Sequence, residues 1–177
     1  MEKPVIVVKT PRQAVEMIKH ADWVPSKAEE KVLLAWIIQS NDSLAIIDVL
    51  PLFTAKQIVA SMKKHIKNWS AYEAMLVLNH IPCNEQYRAP REALLHKGLR
   101  QPINNWFIEQ KYATIWSEIE LLPKEAAYII GVVTRSRSSE FVIRLRTLLG
   151  RHFTKEQMAE LDRAKAKFKE AEHLPKK

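Results

Sequence analysis

Apolar residues recur at three- and four-residue spacing along most of this chain, which is the pattern of α-helices with one buried face. Residues 105–122 show the spacing clearly, and Pro123 is expected to end that helix. Residues 32–38 are apolar on nearly every side, which predicts a helix buried on most of its surface. Shorter helices are predicted for residues 44–50 and 90–99, each ending near a proline.

Five predicted helix starts carry Ser or Thr followed three residues later by Glu or Gln, the pattern of a capping box. These are Thr10 with Gln13, Ser26 with Glu29, Thr54 with Gln57, Ser70 with Glu73, and Thr154 with Gln157. Each box satisfies backbone N–H groups that a helix start leaves without partners. Five of them in one chain therefore predict helices joined by short connections.

Glycine is scarce, with three in 177 residues, and the tight turns of sheet-rich folds depend on glycine. We therefore predict an all-α fold, a compact bundle of about nine short, mostly antiparallel helices with a long charged C-terminal helix. The helical domain is predicted to span residues 1–153, with residues 154–177 as an exposed C-terminal helix and tail. No period of about 30–45 residues is evident, so a repeat architecture is not predicted.

The stretch 126–152 changes from apolar to basic halfway along. Residues 126–133 predict a buried helix, and the helix after it is expected to turn Phe141, Leu145 and Leu148 toward the core. The candidate binding arginines around this helix are Arg135, Arg137, Arg144, Arg146 and Arg151. Arginine offers forked N–H donors that match phosphate or carboxylate, although such charges can also serve only to solvate a helix face or stabilise a helix end.

Two further basic clusters are visible. The second cluster contributes the candidates Lys63, Lys64 and Lys67, which follow Lys56 along one predicted helix. The third cluster consists of Arg88, Arg91, His96, Lys97 and Arg100. Clusters that join on one surface would make a phosphate-binding face.

The whole chain is basic, with 28 Lys and Arg against 20 Asp and Glu and a formal net charge of +8. Such a charge favours an anionic partner, either nucleic acid (DNA or RNA) or an acidic protein, although it can also serve solubility alone. The single cysteine, Cys83, excludes an internal disulfide and fits a reducing compartment. Since no apolar stretch is long enough to span a bilayer, we expect a cytoplasmic protein without a transmembrane segment.

No constellation of residues indicates catalysis, a metal site or a cofactor. His80 precedes Cys83 by three residues, but nothing around this pair supplies an activating charge or an oxyanion site. The six histidines show no metal-binding spacing, and neither a glycine-rich phosphate loop nor a nucleophile elbow is present. We therefore expect a protein that is not an enzyme and needs no cofactor.

A helix-turn-helix over residues 54–80 is a weak alternative. Its second helix, residues 70–79, would have to read the major groove, but it carries no Arg or Lys and is mostly apolar. Such a helix suits a core better than a groove, so contacts with nucleic acid are expected to be directed at the phosphate backbone.

The leading hypothesis from the sequence is a non-enzymatic basic helical protein that associates with nucleic acid through backbone phosphates. The alternative is an adaptor within a larger assembly, which docks a partner protein through an apolar and basic helical surface. Association with an anionic membrane surface is a weaker third hypothesis. The first hypothesis predicts binding that weakens steeply with salt, and the second predicts a complex that survives nuclease treatment.

Overall fold

Helices account for all regular secondary structure in the residues that the computed structural model describes, which are 8–20, 24–40, 42–99, 114–136 and 138–172. No strand occurs in these ranges, so the predicted all-α fold is confirmed. The helices are α1 Pro11–Lys19, α2 Lys27–Gln39, α3 Ser43–Val49, α4 Ala55–His65, α5 Ala71–Asn79, α6 Arg88–Gly98, α7 at 114–118, α8 Pro123–Val133, α9 Ser139–Leu149 and α10 Lys155–Glu172. The predicted long charged C-terminal helix is α10.

The chain forms two compact units, Met1–Ile81 and Pro82–Lys177. The first unit contains α1 to α5, and the second contains α6 to α10. Helix α10 is mostly exposed but buries Leu161 and Phe168 within the second unit. The predicted separation of residues 154–177 from residues 1–153 stays a prediction.

Capping boxes fix where several of these helices begin. The boxes that open α2, α4, α5 and α10 are complete, with both side-chain bonds formed as predicted. At α1, Thr10 accepts from the N–H of Gln13, but the Gln13 side chain accepts from the N–H of Lys9 instead of that of Thr10. Two N-caps were not predicted: Asp42 opens α3 and Ser138 opens α9.

One type of connection recurs three times. A 3₁₀ turn ends at an aromatic residue with extended backbone, and the next residue is the Ser or Thr that caps the following helix. The aromatic residues are Phe53, Trp69 and Phe153, and each N–H donates to the carbonyl of the first residue of its turn. Residues 53–58 and 153–158 have similar sequences because both contain this connection, and Trp69 with Ser70 forms a third example.

In the first unit, α1 and α3 lie side by side and run in the same direction. Arg12 Nε donates to Asp42 Oδ2 at 2.8 Å near the start of both helices, and Lys19 Nζ lies 3.0 Å from Asp48 Oδ1 near their ends. The two bonds join residues in ascending order along both helices. This order requires a parallel pair.

Helices α2 and α4 form a second parallel pair. Gln57 Nε2 donates to Glu30 Oε2 at 3.2 Å, and more than two turns further along both helices Gln39 Nε2 lies 2.6 Å from His65 Nδ1. Alternate helices of the first unit therefore stack in two layers, as the helix pairs of helical-repeat proteins do. From the start of α1 to the start of α3 is 32 residues, and from α2 to α4 is 28.

In the second unit, α9 and α10 form an antiparallel hairpin. The chain reverses through the 3₁₀ turn Gly150–His152, and Arg146 Nη1 lies 3.0 Å from Asp162 Oδ1 across the two helices. Leu145 and Leu149 of α9 and Leu161 of α10 are fully buried, or nearly so, which accounts for the apolar spacing of both helices. The Arg146–Asp162 pair also sets the register between the helices.

A buried ion pair joins α6 to the start of α8. Arg91 Nε donates to Glu125 Oε1 at 2.8 Å and Arg91 Nη2 donates to Glu125 Oε2 at 3.0 Å, and each residue is only 1% exposed. Glu125 Oε2 also accepts from the N–H of Leu122 at 2.9 Å. Arg91 was assigned to a surface basic cluster by the sequence analysis, and this assignment is wrong because its guanidinium is enclosed in the core.

The helix predicted over residues 105–122 ends at residue 118, and its predicted part 105–113 lies outside the described residues. The Ile119 carbonyl accepts from Arg151 Nη2 at 2.8 Å and lies 2.9 Å from His152 Nε2. The Glu120 carbonyl accepts from Arg91 Nη2 at 2.6 Å. In a continuing helix, carbonyls accept from backbone N–H groups four residues later, but here side chains occupy the carbonyls of Ile119 and Glu120. Pro123 is the first residue of α8, so it begins a helix in addition to ending the one before it.

We predict that Asp42 contributes to stability through its cap and through its charge. It accepts from the N–H groups of Leu44 and Ala45, and the hydrogen bond from Arg12 holds its pKa below the usual range of an aspartate. D42A should lower the free energy of unfolding by about 1 kcal/mol at pH 7. Because the pKa is lowered in the folded state, this stability is present at neutral pH and is lost as pH falls below about 4. Urea unfolding of wild type and D42A should therefore converge in acid, whereas a constant difference would contradict the role of the charge.

Candidate functional site

Arg144 and Arg146 project from opposite flanks of α9. Arg144 Nη2 donates to Glu140 Oε1 one turn earlier at 2.8 Å, whereas Arg146 is bound to Asp162 of α10. Successive residues of a helix are about 100° apart, so these two side chains are separated by about 200° around α9. They lie on either side of buried Leu145, and they do not form a single ridge.

Arg135 and Arg151 bind helix-end carbonyls. Arg135 Nε donates to the carbonyl of Gly131 at 2.6 Å, after the end of α8. Arg151 Nη1 donates to the carbonyl of Leu148 at 3.0 Å, in addition to its bond with Ile119. Both guanidinium groups thus satisfy carbonyls that helix ends leave unpaired. Arg137, the fifth candidate arginine, lies outside the described residues.

The candidate lysines belong to the first unit, whereas the candidate arginines belong to the second. Lys63 on α4 is exposed and makes no hydrogen bond or ion pair with another described residue. Lys67 is exposed in the 3₁₀ turn after α4. The side chain of Lys64 lies outside what the structure describes. The predicted set of eight residues is therefore divided between two units.

A group of cations that the sequence analysis did not select lies on α10. Arg163, Lys167 and Lys169 are exposed, and Lys165 is half-buried. None of the four makes a hydrogen bond or ion pair with a residue in the described ranges. We call these four residues the α10 cation surface. Residues 163–169 carry four cations with no acid between them, a local charge of +4. Arg163 and Lys167 share one side of the helix, and Lys165 and Lys169 lie about 200° away.

The hairpin register places the α10 cation surface beside the N-terminal half of α9. Asp162 is level with Arg146, and the helices run in opposite directions, so residues 163–169 extend about 10 Å toward the start of α9. Arg144 lies in that half of α9. The sequence signal is the run of Arg and Lys at alternating positions, in a segment for which the sequence predicts only a long, charged, exposed helix.

The positive charge is unevenly divided between the two units. Residues 82–177 contain 18 Lys and Arg against 12 Asp and Glu, whereas residues 1–81 contain 10 against 8. The second unit thus carries +6 of the net +8. An electrostatic attraction for anions is expected to act mainly on the unit that contains the α10 cation surface.

The pair His80 and Cys83 does not form an activated thiol in this structure. His80 Nδ1 lies 3.0 Å from the carbonyl of Leu76, and partial burial raises the pKa of the Cys83 thiol, with Arg91 lowering it by a smaller effect. A raised pKa reduces the thiolate fraction at neutral pH. Within the described ranges, no group of three or more His, Cys, Asp or Glu side chains is arranged to hold a metal ion.

None of the helices in the described part of the chain combines the length and the apolarity needed to cross a membrane. Helix α5, the candidate reading helix, buries nearly every side chain from Ala71 to Leu78, so it presents no surface to a DNA groove. Comparisons with protein-family models, curated protein sequences and solved structures found no match to this chain.

Proposed function

We propose that this protein binds the phosphate backbone of nucleic acid through the α10 cation surface. The observation that carries the proposal is the set of four cations on residues 163–169, two on each flank of α10, which have no ion-pair partner among the described residues. Unpaired ammonium and guanidinium groups can each approach a phosphate without first breaking an internal bond. Arg135, Arg146 and Arg151, in contrast, must share donors with Gly131, Asp162 and Ile119.

The binding is directed at the backbone and is insensitive to base sequence. Sequence discrimination requires side chains that reach base edges from an element lying in a groove. The α10 cations are spread along one helix whose apolar face, with Leu161 and Phe168, is buried against the rest of the second unit. A docked helix of this kind offers charge to a phosphate row, and both DNA and RNA provide one.

The test is the salt dependence of binding by the variant R163Q/K167Q/K169Q. Each phosphate contact adds about 0.9 to the slope of log affinity against log salt for duplex DNA, so three lost contacts should flatten the slope by about 2 to 3. Fluorescence anisotropy with a labelled duplex of arbitrary sequence measures this slope between low and moderate salt. A single-stranded RNA of equal length extends the measurement to RNA.

The matched control is K27Q/K31Q/K56Q, which removes the same charge from exposed lysines of the first unit. Equal slopes for the two triple variants would show that only net charge matters, and an unchanged slope in R163Q/K167Q/K169Q would refute the proposal. The double variant R144A/R146A tests the arginines selected from sequence. Since Arg144 is paired with Glu140 and Arg146 with Asp162, we expect this variant to flatten the slope less than R163Q/K167Q/K169Q does.

A role as a protein adaptor is the second candidate, and a different observation favours it. Leu44 and Ile47 are three residues apart on α3, Leu52 lies in the 3₁₀ turn after it, and all three are exposed, with Leu44 at 58%. Exposed apolar residues in a row are typical of surfaces that bind another protein. A partner that copurifies after nuclease treatment with wild type, but not with L44D/I47D, would support this function.

A further inference from the structure

A cavity of about 380 Å³ lies between the N-terminal halves of the parallel helices α2 and α4. Its apolar lining includes Leu34, Phe53 and Ala60. Leu34 is fully buried and Phe53 is half-buried, so the apolar wall belongs to the packed interior of the first unit. Small-molecule sites in proteins usually have volumes of about 300–1,000 Å³, and this cavity falls at the lower end of that range.

Three lysines line the same cavity. Lys27, Lys31 and Lys56 are exposed, and none makes a hydrogen bond or ion pair with a residue that the structure describes. The one acid in the lining, Glu30, accepts a hydrogen bond from Gln57. The lining therefore has an excess of two positive charges at its solvent side. An apolar cavity bordered by unpaired cations favours an organic anion.

The starts of α2 and α4 are not the main source of this positive potential. The capping boxes of Ser26 and Thr54 already engage N–H groups of both first turns. The lysine side chains, which no such bond restrains, carry the charge that a ligand would meet. The site consequently differs from a phosphate site built on a bare helix N-terminus.

A buried hydroxyl lies deeper along the same groove. Ser61 lines the cavity, it is only 8% exposed, and its Oγ has no hydrogen-bond partner among the described residues. Serine in a helix commonly donates to a carbonyl of the preceding turn, and Ser61 does not. Since a buried hydroxyl without a partner costs free energy, a ligand atom that accepts or donates here would be stabilising.

The parallel arrangement orders these features along the cavity. Lys56 precedes Ser61 by five residues of α4, which is about 8 Å along the helix axis. Lys27 precedes Leu34 by seven residues of α2, which is about 10 Å. Glu30 is level with Gln57, so the two helices begin at the same end of the cavity. Cations therefore stand toward one end, apolar side chains form the wall, and the unpaired hydroxyl lies toward the other end.

We propose that this cavity binds a small amphipathic carboxylate. The carboxylate head lies among Lys27, Lys31 and Lys56, the apolar body packs against Leu34 and Phe53, and Ser61 bonds a polar atom of the body where the ligand carries one. This site belongs to the first unit and uses none of the α10 cations, so it stands independently of nucleic-acid binding.

The test is the binding of decanoate to the 177-residue chain, monitored by ¹H–¹⁵N NMR. The neutral 1-decanol and the cationic decyltrimethylammonium are titrated in the same way for comparison. We expect saturable shifts of α2 and α4 signals with decanoate, and much weaker binding of the other two. The variant K56Q should weaken decanoate binding by about twofold to fivefold, the range for one exposed charge pair. Its matched control is K63Q, an exposed lysine on the same helix that does not line the cavity.

A variant that fills the cavity tests whether decanoate binds inside it. Ala60 is exposed and lines the cavity, so A60F should fill the space with little effect on folding and should reduce decanoate binding at least tenfold. Equal effects of K56Q and K63Q, full binding by A60F, or equal binding of decanoate and decanol would each overturn the proposal. Unchanged decanoate binding in R163Q/K167Q/K169Q would confirm that the cavity acts apart from the α10 cation surface.

Discussion

Replacing Arg91 with methionine is expected to lower the free energy of unfolding of the second unit by about 3–5 kcal/mol. Glu125 would then keep a carboxylate in the core at 1% exposure, with the N–H of Leu122 as its one remaining partner among the bonds described above. The carbonyl of Glu120 would also lose its donor. The loss is a large fraction of the 5–15 kcal/mol that stabilises a typical domain. Urea unfolding followed by circular dichroism measures it directly.

The matched control is R144M, the same change at an exposed pair. Arg144 and Glu140 are one turn apart on α9, and pairs of this kind contribute about 0.3–0.5 kcal/mol. The double variant R91M/E125L should be less destabilised than the sum of the single variants, because it leaves no unpaired charge in the core. Equal, small losses of unfolding free energy in R91M and R144M would show that the buried Arg91–Glu125 pair contributes no more to stability than the pair on α9.

The starts of helices were the most predictable part of the fold. A capping box is local: Thr54 and Gln57 are three residues apart and bond each other's backbone N–H groups, so identity and spacing carry most of the signal. Asp42 was missed because it has no Glu or Gln three residues later, and its cap is a pair of bonds to the N–H groups of Leu44 and Ala45. The pattern is therefore neither necessary nor sufficient for a helix start, since Ser117 and Glu120 also have this spacing although the helix there ends at residue 118.

The stacking of the first unit could not be predicted from sequence. Alternate helices begin 28 or 32 residues apart, which is a repeat in structure, but their sequences share no common motif beyond the caps. Each helix needs only an apolar face of suitable width to pack on its neighbour, and many residue combinations provide one. An aromatic residue followed by Ser or Thr, as at Phe53 and Trp69, is the one sequence pattern that marks a repeated connection between these helices, and it occurs again at Phe153 in the second unit.

The candidate arginines show why charge alone does not identify a site. Sequence spacing predicts that Arg144 and Arg146 lie on a helix, but whether a carboxylate lies opposite depends on a tertiary neighbour. Asp162 reaches Arg146 from α10, a contact between residues 16 positions apart that no helical periodicity specifies. The α10 cations had the reverse outcome: they were not among the candidate residues, and no described residue pairs with them.

Replacing Leu161 with alanine is expected to destabilise the second unit by about 2–5 kcal/mol, because Leu161 is 0% exposed and its removal leaves a cavity under α10. Its control is I143A on α9, where the side chain is 38% exposed and the loss should stay near or below about 0.5 kcal/mol. Urea unfolding gives both values.

The Leu161 variant also tests whether nucleic-acid binding requires α10 to be packed against α9. An undocked, highly charged helix of 18 residues is only marginally stable in water, so loosening α10 should disperse Arg163, Lys167 and Lys169 and weaken nucleic-acid binding at low salt. L161A with wild-type stability would instead support residues 154–177 as a segment apart from the rest. A destabilised L161A that keeps full nucleic-acid affinity would show that the cations act without the α9–α10 hairpin, and the phosphate row would then be bound by a flexible charged segment instead of a docked helix face.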